Sequence, residues 1–168
     1  MAENMIVRRQ GRMRRLLLSV AAAVVVAASV PGGKTDAAAA PVIVNWRTGL
    51  AIHGFDPVSY FADGKALEGR DDVEYGFEGA TWRFRSEANR AIFSAHPDIY
   101  RPQFGGYDPL PLARGVATPG NPLLWLIHGD RLYFFHDPKS RAAFAANPAV
   151  VIAASEAKWP TVEQTIVP

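Results

Sequence analysis

Leu123-Leu124-Trp125-Leu126-Ile127-His128, a Gly129-Asp130 pair, and Arg131-Leu132-Tyr133-Phe134-Phe135-His136 form the stretch that sets the fold. Two apolar, aromatic-rich runs joined by a two-residue turn predict a β-hairpin. Apolar side chains fall on both faces of each run, so both faces are expected to be covered by other parts of the chain. With Gly129-Asp130 as the turn, His128 pairs with Arg131 and His136 with Leu123. The two imidazoles then sit on opposite faces at opposite ends of the hairpin. They are read as exposed or capping groups rather than as a metal site with Asp137.

Downstream, Asp137-Pro138 combines a capping carboxylate with a proline at the first helical position, which predicts a short helix carrying Arg141, Phe144 and Ala145 as far as Asn147. Pro148 opens a second, alanine-rich helix predicted to reach Lys158 and to stop at Trp159-Pro160. Upstream, Val73 to Phe77 alternates, Glu78-Gly79 offers a turn, and Thr81 to Phe84 alternates again, predicting another hairpin. Ser86 caps a helix whose apolar stripe is Ala88, Ile92, Phe93 and Ala95, closed by Pro97. Asp56-Pro57 starts a turn or two of helix over Val58 to Ala62. No internal repeat, low-complexity segment or long linker is read after residue 40. The expected fold is α+β: a small antiparallel sheet of about four strands with short helices packed on it.

Residues 1–40 have the layout of an export signal peptide, leaving 41–168 as a single domain. Arg8, Arg9, Arg12, Arg14 and Arg15 precede an uncharged run from Leu16 to Val30, which Pro31-Gly32-Gly33 ends. That run is shorter than the roughly 20 residues of a membrane-spanning helix. Ala37 to Ala40 supply the small residues of a cleavage site, with cleavage expected before Ala40. Arg14-Arg15-Leu16-Leu17-Leu18 is a loose match to a twin-arginine signal, and unfolded export is the expected route. The expected location is periplasmic or secreted, with membrane attachment only through an uncleaved leader.

The leader also carries the positive charge. Of 18 Lys and Arg against 16 Asp and Glu, twelve basic and fourteen acidic residues remain after residue 40, a balance of −2. The basic patch that would attract nucleic acid is therefore not expected. The chain has no cysteine, which excludes a thiol nucleophile, a zinc-thiolate site and disulfide exchange.

Five segments in order carry a resemblance: Gly54-Phe55-Asp56-Pro57-Val58-Ser59-Tyr60-Phe61, Trp82 to Arg90, His96-Pro97-Asp98-Ile99-Tyr100, Phe104-Gly105-Gly106-Tyr107, and Trp125 to Phe134. Over roughly residues 50 to 160 the chain resembles the YHS domain family, and more closely its exported stand-alone branch. The resemblance implies positions for reactive sulfur that this chain fills otherwise. Ser59 stands where metal-binding relatives carry a cysteine after Asp-Pro-Val, and Arg85 and Asn89 stand where two more flank a helix start. Asp108 takes the place of the cysteine or selenocysteine that follows Gly-Gly-Tyr in the exported branch. A hydroxyl or an amide is a far poorer ligand than a thiolate for a soft metal, and Arg85 repels a cation.

The remaining candidates for a ligand site are His53, Asp56, Tyr60, Phe104, Tyr107 and Asp108, with the loop Phe104 to Asp108 expected to face the helix that begins at Asp56. One imidazole and two carboxylates suit a weakly held hard or borderline divalent ion, while Asp56 is equally explained as a helix cap. Gly105-Gly106 reads as a tight turn of positive φ rather than a phosphate cradle, because no Lys-Ser or Lys-Thr follows. Tyr60, Tyr100, Phe104, Tyr107, Trp125 and Tyr133 either pack a core or line a pocket for a flat ligand. Serine catalysis lacks an elbow motif, and Ser59 with His53 and Asp56 is too local for a triad.

The expected function is a non-enzymatic exported binding or accessory domain for an unknown small molecule or protein, with no cofactor and no catalytic residue. The alternatives are a metal-binding protein or metalloenzyme using His and Asp ligands, and a partner-binding module docking through Trp46 or Trp159.

Overall fold

A helix start built on Asp-Pro occurs three times, and each time the aspartate oxygen accepts from the second backbone N–H beyond it: Asp56 from Val58, Asp108 from Leu110 and Asp137 from Lys139. The computed structural model describes residues 41–166; the expected leader lies outside the described residues. Asp108 and Asp137 thereby cap α4 (Pro109–Leu112) and α5 (Pro138–Ala146), whereas Asp56 makes its turn ahead of α1 (Ser59–Ala62), whose N-cap position is Val58 with no side-chain cap bond, so the expected cap at Asp56 is a turn before the helix instead. Between them come β1 (Arg70–Phe77), β2 (Ala80–Phe84), α2 (Glu87–Ala95), α3 (Pro97–Tyr100), β3 (Asn121–His128) and β4 (Arg131–Phe135), and α6 (Pro148–Ile166) closes the described chain. Among the described residues no helix is long and apolar enough to cross a membrane.

The class is α+β, but the strands do not join in one sheet. β1 pairs with β2 and β3 with β4, giving two separate antiparallel hairpins. Both predicted turns form, with Glu78-Gly79 and Gly129-Asp130 at positive φ throughout, as a two-residue turn between right-twisted strands requires. In the second hairpin His128 opposes Arg131 as expected, whereas His136 lies beyond the end of β4 and does not face Leu123. The register slips between Asn121 and Trp125, where Pro122 has no N–H to give to the ladder.

Both faces of β4 are covered. Leu132 and Phe134 belong to a core with Tyr60, Trp82, Phe84 and Phe93, while Tyr133 and Phe135 belong to a second core with Phe144 and Val151. The strand is thus a wall between two hydrophobic clusters, which explains why it lacks a polar face.

The last helix runs through the expected stop. Pro160 lies inside α6, although a mid-helix proline costs about 3 kcal/mol. Val151, Ser155 and Val162 are buried and Trp159 half-buried, so the inward stripe continues at helical spacing past the proline. Trp159 packs against Phe104 and Tyr107, with ring centroids 5.8 and 6.1 Å away. Tertiary packing overrides the local break.

An internal repeat, absent from the sequence reading, also emerges. Ile52-His53-Gly54-Phe55-Asp56-Pro57-Val58 and Phe104-Gly105-Gly106-Tyr107-Asp108-Pro109-Leu110 make the same turn. The φ angles are 43°, 59° and 87° at Ile52, His53 and Gly54, against 53°, 59° and 86° at Phe104, Gly105 and Gly106. A hairpin follows each, with the register slipping between Arg70 and Glu74 in one and between Asn121 and Trp125 in the other. A capped helix closes each half, with buried Phe93 answering Phe144. Gly69 and Gly120 are also equivalent: their N–H groups donate to Gly54 and Gly106. A Cβ at either would come within 2.5 or 2.6 Å of neighbouring backbone.

Candidate functional site

The sequence candidates separate into two kinds of place. Asp56 and Asp108 are both fully buried, each the centre of a hydrogen-bonded hub. One Asp56 oxygen accepts from the Val58 N–H (2.8 Å), and the other accepts from the Arg85 N–H (2.8 Å) and the Asn89 side-chain amide (2.7 Å). Asp108 accepts from the Leu110 N–H (2.9 Å), the Ser140 hydroxyl (2.7 Å) and the His136 N–H (2.8 Å). The two sets are repeat equivalents: each carboxylate ties its own short helix to the end of the following hairpin and the first turn of the helix beyond. Arg85 and Asn89 thus gather on one oxygen. The Ser59 hydroxyl donates to the Asp56 and Lys65 carbonyls and accepts from the Leu67 N–H.

Every carboxylate oxygen of these hubs has a partner within the fold. Among the described residues no buried side-chain nitrogen or oxygen lacks a hydrogen-bond partner, and no group of three or more His, Asp or Glu is placed to hold a metal ion. His53 is exposed at the turn before Asp56, and no hydrogen bond links it to Asp56 or Asp108. His96, His128 and His136 are exposed as well, and among the described residues no serine hydroxyl bonds to an imidazole. Tyr60 is core: its ring meets Trp125 edge-on at 5.3 Å, and its hydroxyl donates to the Pro122 carbonyl. Burial, with the Asp56 carboxylate adding to it, holds its phenol far above the ordinary tyrosine range.

Phe104 and Tyr107 behave differently. With Trp159 they form an aromatic group at the edge of a cavity of about 560 Å³. Phe104 and Trp159 line that cavity, as does Tyr133, 6.3 Å from Phe104. Phe104 sits at positive φ, a conformation a bulky residue rarely adopts. Because Ile52 repeats it in the first half, the strain belongs to the duplicated turn rather than to a ligand. The expected tight turn at Gly105-Gly106 is present. A Cβ on Gly105 would lie 1.8 Å from the Pro41 carbonyl oxygen, so only glycine allows the chain to cross there.

Charge surrounds the aromatic walls. Arg101 donates to both Glu78 oxygens at 2.8 Å and lies 3.0 Å from Asp98. The Arg131 guanidinium donates to the Asp98 carbonyl at 2.6 Å. On α6, Glu156 and Glu163 stand on either side of Trp159 and Pro160, at the spacing of one helix face, and line the same cavity. Burial raises the Tyr133 phenol above its usual value, the Glu156 carboxylate raises it further, and Arg131 opposes both. Sequence reading passed over Glu156 and Glu163 because it ended the helix between them. Trp46, by contrast, is 82% exposed.

No family model, curated protein or solved structure matches this chain.

Proposed function

We propose that this chain is an exported, non-enzymatic binding or accessory domain of the YHS kind that works without a thiolate metal or redox site, and that its ligand sits in the cavity beside Phe104. The observation carrying this reading is the contrast between the two places. The carboxylates of Asp56 and Asp108 are buried and each is bonded to three donors of the fold. The aromatic cavity between the Gln103–Gly105 turn and α6 has the size of a small-molecule pocket, which runs from about 300 to 1,000 Å³.

A thermal-shift screen of small aromatic compounds against the full-length protein tests it. A ligand present at about 100 times its dissociation constant stabilises by about 2.7 kcal/mol. That stabilisation is expected to disappear in Trp159→Ala and to persist in His53→Ala. Compounds that stabilise both variants and the parent equally would place the ligand elsewhere and overturn the reading.

The exposure of Trp46, with the Arg47 guanidinium 4.7 Å from its ring centre, favours a second use as a protein-docking point. Cross-linking in the native compartment should then yield an adduct that Trp46→Ala removes; an unchanged adduct would refute it.

A further inference from the structure

Resting on the cavity as ligand seat, we infer that it takes an organic cation: a quaternary or protonated nitrogen carried on an apolar body. Four carboxylates line the cavity, from Glu78, Asp98, Glu156 and Glu163, against two guanidiniums, from Arg101 and Arg131. Arg101 is engaged by Glu78 and Asp98 together. The excess negative charge therefore lies on the α6 side, where Glu156 and Glu163 form no ion pair among the described residues. An anionic ligand would meet this excess with one guanidinium outside an ion pair to offset it, that of Arg131, which donates to the Asp98 carbonyl.

The kind of cation follows from what the walls lack. A hard divalent ion needs six or more converging oxygens, and no acidic group of that kind assembles among the described residues. A bare ion would also leave most of about 560 Å³ unfilled. A diffuse organic charge needs instead aromatic faces with carboxylates at a few ångströms. Trp159 and Phe104 supply the rings, with the buried Tyr133 6.3 Å from Phe104, and Glu156 and Glu163 flank the indole along one helix face.

Calorimetric titration of the full-length protein with benzyltrimethylammonium tests this, using benzyl alcohol and phenylacetate as neutral and anionic probes of similar shape. The cation is expected to bind tightest and to weaken as salt rises, because screening acts on the carboxylates. Glu156→Gln and Glu163→Gln together should weaken the cation and leave benzyl alcohol unaffected. Trp159→Leu should cost the cation about 3- to 30-fold, the range a cation over an indole face is worth. If Trp159→Leu fails to fold, the two glutamate changes, which remove charge while keeping the side-chain shape, decide alone. Benzyl alcohol or phenylacetate binding as tightly as the cation, and lost in Trp159→Leu, would overturn the cation and leave the seat standing. Cation binding unchanged by all three substitutions would overturn both the cation and the seat. No binding of the cation to folded protein would overturn the cation.

Discussion

Replacing Asp56 or Asp108 by alanine separates a carboxylate that holds the fold from one kept for a ligand. Each substitution removes the acceptor for three hydrogen bonds and leaves three donors without it: Val58 N–H, Arg85 N–H and the Asn89 amide in one hub, Leu110 N–H, His136 N–H and the Ser140 hydroxyl in the other. A hydrogen bond to a charged group contributes about 1.5–3 kcal/mol. Three at the lower figure give about 4.5 kcal/mol, and water entering the vacated space recovers part of it, leaving about 3–4 kcal/mol. Urea unfolding followed by tryptophan fluorescence should report that loss as a lower midpoint at constant slope. Because the hubs are repeat equivalents, the two variants should fall by similar amounts. Asparagine keeps one acceptor but turns its own amide toward donors, so Asp56→Asn should be nearly as damaging as alanine. Either alanine variant matching or exceeding the parent in stability would refute this account, since residues kept for a ligand often destabilise the fold they sit in.

Three further outcomes follow from the packing. Phe93, fully buried among Tyr75, Phe77, Trp82 and Phe84, and its counterpart Phe144 should each cost about 3–5 kcal/mol on truncation to alanine, measured by chemical denaturation; a loss under about 1 kcal/mol at either would contradict the two-core description. Gly120→Ala puts a methyl 2.6 Å from the Gly106 carbonyl oxygen and should cost about 1–3 kcal/mol, while Gly76→Ala, with open space around it, should be close to neutral by the same measurement. The Tyr60 phenol is raised by burial first and by Asp56 second, so the folded state holds its proton more tightly than the unfolded chain. Stability is therefore complete below a pH of about 10 and declines as pH rises above it; Tyr60→Phe should flatten that alkaline decline in a denaturation series, and an unaltered slope would show that the phenol does not drive it.

How much of this was legible depended on the range of the interaction. Asp56-Pro57, Asp137-Pro138, Ser86 and the Gly129-Asp130 turn act within a few residues, and their elements formed as read. Asp108-Pro109 is the same local signal and caps α4, a helix absent from the sequence reading. Reading the rest required distant partners. The Asp56 oxygen that accepts from Arg85 and Asn89 reaches 29 and 33 residues along the chain, so only half of its role was visible locally. The helix through Pro160 was hidden for a similar reason, since Trp159 is held by Phe104 and Tyr107 from another segment. The repeat escaped because its halves share geometry at Ile52-His53-Gly54 and Phe104-Gly105-Gly106 more than side chains. The split of four strands into two hairpins follows from it, each half closing its own pair.

The most direct test of the cavity as ligand seat is to follow the indole N–H signals of Trp46, Trp82, Trp125 and Trp159 by ¹⁵N NMR during titration with benzyltrimethylammonium. Trp159 should move most, Trp82 at the cavity wall less, and Trp46 and Trp125 should stay in place. A response centred on Trp125, which packs on Tyr60 in the core near the Asp56 hub, with Trp159 unmoved, would contradict the account.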